Sequence, residues 1–157
     1  MFFHFRQRMR STSYYPKDIS LFLFLIPVIN LINYYLTYPQ IVFNSYFVLT
    51  FVIDTLQGYA AWLGIRGVII WLDKTVTYEE RMLTRMVLQI TLTLLVGLLI
   101  IVGLTELVNF LASKKPVPLL FYTHHLFIFA IWILVINGIY IGWYFFQYWQ
   151  KVVQEQN

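Results

Sequence analysis

The sequence contains no cysteine and few charged residues, and each shortage excludes a class of protein. Without cysteine, disulfide bonds, thiolate metal sites and cysteine nucleophiles are all excluded. Only 11% of the 157 residues are charged, whereas 60% are hydrophobic. A soluble domain of this size needs more charge to cover its surface. The composition therefore predicts a membrane protein.

Sequence motifs of enzymes are also missing. There is no glycine-rich phosphate loop and no hydrolase motif, so we expect no catalytic residues, no cofactor and no metal ion in this chain. The net charge of +4 does not indicate nucleic-acid binding, because the basic residues lie beside hydrophobic runs and form no polar, groove-sized face.

Four apolar runs organise the chain, and each is long enough to cross a bilayer, which takes about 20 helical residues. They predict an all-α fold, a bundle of four transmembrane helices at about 18–38, 46–72, 79–112 and 119–146. A basic segment, 1–17, precedes this domain of residues 18–146, and 147–157 begin a connector helix. Pro27 lies within the first run and should kink it, leaving one backbone carbonyl without its usual donor.

The distribution of lysine and arginine predicts the orientation. Four lie in the N-terminal segment, four around the central turn and one in the C-terminal tail, against two in the other turns. Nine against two places both termini in the cytoplasm. The residues that mark the inner turn are Arg66, Asp73, Lys74, Arg81 and Arg85.

Two details of this turn are open to interpretation. Arg81 and Arg85 are four residues apart, so both can extend towards lipid phosphates. Arg66 lies inside the second run, where it anchors the helix end, pairs with Asp73 or Glu80, or meets Gln89.

Polar residues at similar predicted depth suggest a site in the outer half of the membrane, since ionisable groups within spans are costly. The candidates for ligand sensing are Asn30, Asn33, Asp54, Glu106, Asn109, His124 and His125. We expect a polar cavity that includes only one of the two adjacent histidines, which point about 100° apart on a helix. Alternatively, these groups pair across helices as packing contacts, or reach outer water.

The last helix is predicted to leave the membrane with a narrow apolar stripe. Trp149, Val152 and Val153 fall at helical spacing with polar residues between them. Such a stripe is typical of a signal-exit helix that pairs with a second copy, so we expect a homodimer.

Short motifs resemble the membrane input domain of bacterial sensor histidine kinases, a region that also precedes some LytTR-type DNA-binding regulators. The motifs are Arg66-x4-Trp71-Leu72-Asp73-Lys74, Tyr78-Glu79 with Arg85 and Gln89, Asn137-Gly-x-Tyr140, and Gln147-Tyr-Trp149-x-Lys151 with Glu155. Where the family pattern has Tyr-Pro-Trp, this chain has Thr77-Tyr78-Glu79.

The resemblance implies a multi-pass sensory or anchoring module in the bacterial inner membrane. Its partners would be the lipid bilayer, a second copy and a cytoplasmic effector, either a histidine kinase or a LytTR domain. Any kinase or DNA-binding activity would lie outside these 157 residues, because no histidine follows His125 to act as phosphoacceptor. The alternative is a small proton- or ion-coupled transporter or channel subunit that uses Asp54 and Glu106.

Overall fold

Four long helices make up the structure, a computed structural model that describes residues 17–37, 43–112, 116–117 and 119–156. They are α1 (Lys17–Thr37), α2 (Ser45–Thr75), α3 (Met82–Ala112) and α4 (Leu126–Gln156), the last preceded by a π-helical turn, Phe121–His125. All four are long and apolar enough to span a membrane, and the described residues contain no strand. The predicted all-α, four-helix fold is confirmed.

The helices run alternately up and down. The side chain of Arg66 on α2 meets Asp18 at the start of α1, and Tyr34 near the end of α1 meets Asp54. α3 packs against both α2 and α4. Residues 76–81 therefore join α2 to α3 at the same end where α1 begins and α4 finishes, which we call the turn end. The opposite end is the far end.

Two helix boundaries differ from the predicted spans. α2 continues to Thr75 and α3 begins only at Met82, so residues 76–81 form a turn where the sequence suggested the start of a helix at 79. Three hydrogen bonds hold the turn: the Val76 amide donates to Leu72 O, the Arg81 amide donates to Thr77 O, and Arg85 Nη1 donates to Val76 O at 3.0 Å. At the other end of α2, Asn44 caps the helix by accepting from the Phe47 amide.

The proline in α1 is compensated by a neighbouring helix. Pro27 has no amide hydrogen to donate to the carbonyl of Leu23, four residues earlier. Tyr59 on α2 donates its hydroxyl to that carbonyl at 2.6 Å. This contact satisfies a backbone group for which a bilayer core offers no water.

The bundle interior is packed most tightly between α2 and α3. A β-carbon added to Gly64 would lie 2.4 Å from Ile100 Cδ1 and 3.0 Å from Val96 Cγ1, so only glycine permits this approach. Large apolar side chains such as Phe24, Leu83 and Phe127 are instead exposed on the outside of the bundle. Such an exterior is expected of helices that face lipid.

Candidate functional site

A cavity of about 690 Å³ lies between the four helices in the far-end half of the bundle. It extends from Tyr46 and Ala112 at the far end to Ile65 on α2 and Ile136 on α4. Cavities of roughly 300–1,000 Å³ are the size that holds small-molecule ligands in proteins.

Five of the seven predicted sensing residues line this cavity. They come from α1, α2, α3 and the π-helical turn before α4: Asn30, Asn33, Asp54, Asn109 and His125. Only one of the adjacent histidines is among them, as expected from their angular separation. The structure thus brings these five together, while their role as a ligand site stays a prediction.

Glu106 and His124 lie elsewhere. Glu106 is exposed and accepts a hydrogen bond from Tyr122, whereas Thr105 and Asn109 of the same helix line the cavity. Residues adjacent on a helix point about 100° apart, so the side that carries Thr105 turns Glu106 away. His124 is exposed and lies 3.0 Å from the hydroxyl of Thr123. The expected convergence of Asp54 with Glu106 is therefore not formed.

Hydrogen bonds between helices orient the polar groups of the cavity. Tyr34 donates to Asp54 Oδ2 at 2.8 Å, and Trp132 Nε1 donates to Asn33 Oδ1 at 2.6 Å. Asn30 Nδ2 donates to Thr55 Oγ1 at 3.0 Å. These contacts are of the packing kind that we considered as the alternative to a ligand site, but they use only part of the hydrogen-bonding capacity of Asn30, Asn33 and Asp54.

The cavity ends at a buried charged cluster that sequence reasoning missed. Asp18 is 0% exposed, and its Oδ2 accepts from Arg66 Nε at 2.8 Å and from the Tyr140 hydroxyl at 2.8 Å. Trp62, which lines the cavity, donates its indole N–H to the Tyr140 oxygen at 3.0 Å. Phe22 stacks on both Trp62 and Tyr140. Together these residues join α1, α2 and α4.

A second buried network joins α2, α3 and α4. Arg85 is 0% exposed, pairs with Asp73 at 2.8 Å and donates through Nε to Gln89 Oε1 at 3.1 Å. Gln89 Nε2 donates to Asn137 Oδ1 at 3.1 Å, and Asn137 Nδ2 donates to Thr93 Oγ1 at 2.7 Å. We call these five residues the Arg85 network. It runs from the turn into the middle of the bundle.

A tyrosine of the turn packs against this network. Tyr78 stacks on Tyr144 of α4, lies 4.4 Å below the guanidinium of Arg85, and donates a hydrogen bond to Gln89. Burial, opposed by the charge of Arg85, raises the pKa of Tyr78 from 10.0 to about 12. The hydroxyl therefore stays protonated at neutral pH and remains a donor.

One expectation for the arginines is corrected. Arg85 does not reach lipid phosphates: its side chain is fully buried, where Asp73, Gln89 and the backbone carbonyls of Val76 and Ile69 satisfy it. Arg66 pairs with Asp18, a partner that the sequence did not suggest. Arg81 and Lys74 are exposed at the turn end.

The sequence carried a signal for part of what was missed. Gln89, Thr93 and Asn137 interrupt long apolar runs, and polar residues within spans rarely lack a partner. Asp18 gave no such signal, because it stands where the first span begins. Its burial depends on which side chains of α2 and α4 reach it.

Polar and apolar side chains share the lining of the cavity. Within residues 17–37, 43–112, 116–117 and 119–156, no group of three His, Asp or Glu side chains could hold a metal ion. No protein-family model, no curated protein and no solved structure matches the chain.

Proposed function

We propose that this chain is the sensory module of a membrane signalling protein, in which occupancy of the cavity changes the position of α4. The observation that carries the proposal is that α4 contacts both the cavity and the Arg85 network. Trp132, Ile133 and Ile136 line the cavity, and the next residue, Asn137, belongs to the Arg85 network. One rigid helix therefore contacts both the cavity and the turn-end networks.

The course of α4 beyond the networks supports the same function. The helix continues past Tyr140 and Tyr144 without interruption to Gln156. Trp149 is 61% exposed, and Val152 and Val153 are partly exposed, so the apolar stripe is available to a second copy. A helix whose two ends meet different partners is a suitable bistable element, because a ligand that favours one packing of it shifts the whole equilibrium.

The remaining parts of the proposal rest on the sequence. The lysine and arginine distribution supports cytoplasmic termini, which would put the cavity in the outer half of the membrane. The motif resemblance supports a bacterial inner-membrane sensor whose effector is a histidine kinase or a LytTR domain. Reporter fusions at residue 157 and at Ser113 should report opposite compartments, and matching compartments would contradict a four-span topology.

The alternative of a proton- or ion-coupled transporter has one supporting observation, the carboxylate of Asp54 within a cavity of suitable size. Its predicted partner Glu106 is bound to Tyr122 outside the cavity. Substrate flux into liposomes that is lost in Asp54→Asn would favour transport over signalling.

A crosslinking experiment tests the sensory function. Single cysteines at 149–156 in this cysteine-free chain should crosslink in membranes with a helical period. Ala61→Phe, which fills part of the cavity from α2, should change the crosslinking yields, because Ala61 is a buried lining residue. Leu63→Phe on the exposed face of α2 is the control and should leave them unchanged. Aperiodic crosslinking, or equal yields in both variants, would contradict the proposal.

A further inference from the structure

The cavity has an apolar inner part. Ile26, Ile29, Ile65, Ile133 and Ile136 line it towards the turn end. Trp62 also lines this part, but its N–H already donates to Tyr140. A ligand meets no unused polar donor from these side chains, so the part of it that reaches this depth must be apolar.

The described lining of the cavity holds one carboxylate, that of Asp54, one imidazole, that of His125, and no Lys or Arg. Away from bulk water, a single carboxylate attracts a cation and repels an anion far more strongly than it would in solution. The charge of the wall thus selects against an anionic ligand.

The carboxylate still has capacity to bind. Tyr34 donates to Oδ2 of Asp54, while Oδ1 has no hydrogen-bond donor within the described part of the chain. Tyr34, Phe129 and Trp132 also line the cavity. Aromatic rings in the lining of a cavity favour a cation, since the face of each ring carries partial negative charge.

We infer that the cavity binds hydrophobic cations: molecules with an apolar body and a single ammonium or phosphonium charge that lies beside Asp54. This inference rests on the proposed function and specifies its ligand class. The charge could be carried by a free compound or by the amine of a lipid headgroup. Both present the same chemistry to the cavity.

Tetraphenylphosphonium and tetraphenylborate provide a matched test, because they share size and shape and differ in the sign of the charge. Binding is measured by equilibrium dialysis with the whole chain in phosphatidylglycerol nanodiscs, after subtracting binding to protein-free nanodiscs. The measurement is made at about pH 8. We expect the phosphonium to bind and the borate to bind at least about tenfold more weakly.

Two carboxylate variants locate the site. Asp54→Asn should weaken phosphonium binding about tenfold and remove the preference between the ions. Glu106→Gln removes an exposed carboxylate in the same half of the bundle and should leave both unchanged. Equal affinity for the two ions, or an unchanged affinity in Asp54→Asn, would overturn the inference.

Further measurements distinguish a lipid ligand from a free one, and distinguish a failure of this inference from a failure of the proposed function. Weaker phosphonium binding in nanodiscs containing phosphatidylethanolamine would support a lipid amine as the natural occupant, and unchanged binding would support a free cation. Binding that follows Asp54 but leaves the crosslinking at 149–156 unchanged would contradict the sensory function alone. Crosslinking that responds to Ala61→Phe in a chain that ignores the sign of the ion would contradict only the ligand class.

Discussion

The two halves of this bundle fill their interiors in different ways. At the turn end, polar side chains are buried against one another: Arg85 and Gln89 are both 0% exposed, and each has several hydrogen-bond partners. At the far end, polar side chains surround a cavity of about 690 Å³. Polar residues thus pack against one another in the turn-end half, which we call the closed half, and surround a cavity in the far-end half, which we call the open half.

The difference suggests separate roles for the two halves: polar groups at the turn end hold the helices in place, and those at the far end are available to a ligand. A buried polar group that is fully hydrogen-bonded fixes the position of its helices, since losing one partner leaves the other unsatisfied in a medium without water. A polar group that faces a cavity keeps capacity for a ligand. α4 belongs to both halves, and the boundary between them falls between Ile136 and Asn137.

The most severe change to the closed half should be Arg85→Gln. It removes the ion pair with Asp73 and four further contacts, and breaking a buried ion pair costs about 3–5 kcal/mol. The free energy of unfolding, measured by denaturant titration in mixed micelles, should fall by that amount. Arg81→Gln, four residues earlier on an exposed side chain, should change it by less than about 0.5 kcal/mol. Equal effects would mean that Arg85 also lies at the surface.

A pair of glutamines compares the halves directly. Gln89→Leu removes one hydrogen-bond partner from each of Asn137, Arg85 and Tyr78 and should destabilise the protein by about 1–3 kcal/mol. Gln57 lines the cavity and has no hydrogen bond within the described residues, so Gln57→Leu should stay within about 0.5 kcal/mol. Similar losses in the same unfolding assay would remove the distinction between a closed and an open half.

A pair of glycines on α2 tests the close packing beside the cavity. Gly64→Val would place methyl groups against Ile100 and Val96, and overpacking costs about 1–3 kcal/mol. Gly67→Val meets nothing within 4 Å and serves as the control. A lowered thermal midpoint in Gly64→Val alone is expected. An unaffected midpoint in both would show that α2 and α3 can separate at little cost.

The smallest expected effect is at the proline of α1. Tyr59→Phe removes the donor to Leu23 O and should cost about 0.5–1.5 kcal/mol. In a Pro27→Ala background the restored amide can donate to the same carbonyl, so Tyr59→Phe should then cost less. A double-mutant cycle measures this difference, and additive losses would rule out the compensation.

The sequence predicted the helices well and the site in part. Long apolar runs left no other way to satisfy the backbone in a bilayer, so all four helices were recognised. The cavity residues were partly recognised because depth in the membrane follows from position along a helix. The direction of a side chain around the helix does not, which is why Asn109 lines the cavity and Glu106 does not.

The amino-acid sequence by itself determined that this chain forms four membrane-spanning helices with polar residues within the spans, because length and hydropathy are properties of each segment alone. Only the tertiary structure decided which polar groups meet. Arg85 and Arg66 stand in similar sequence surroundings, yet one joins Asp73 and Gln89 while the other joins Asp18 and is linked through it to Tyr140. Which partner each arginine meets depends on how neighbouring helices are rotated and how closely they approach. Both are set by the packing of the whole bundle.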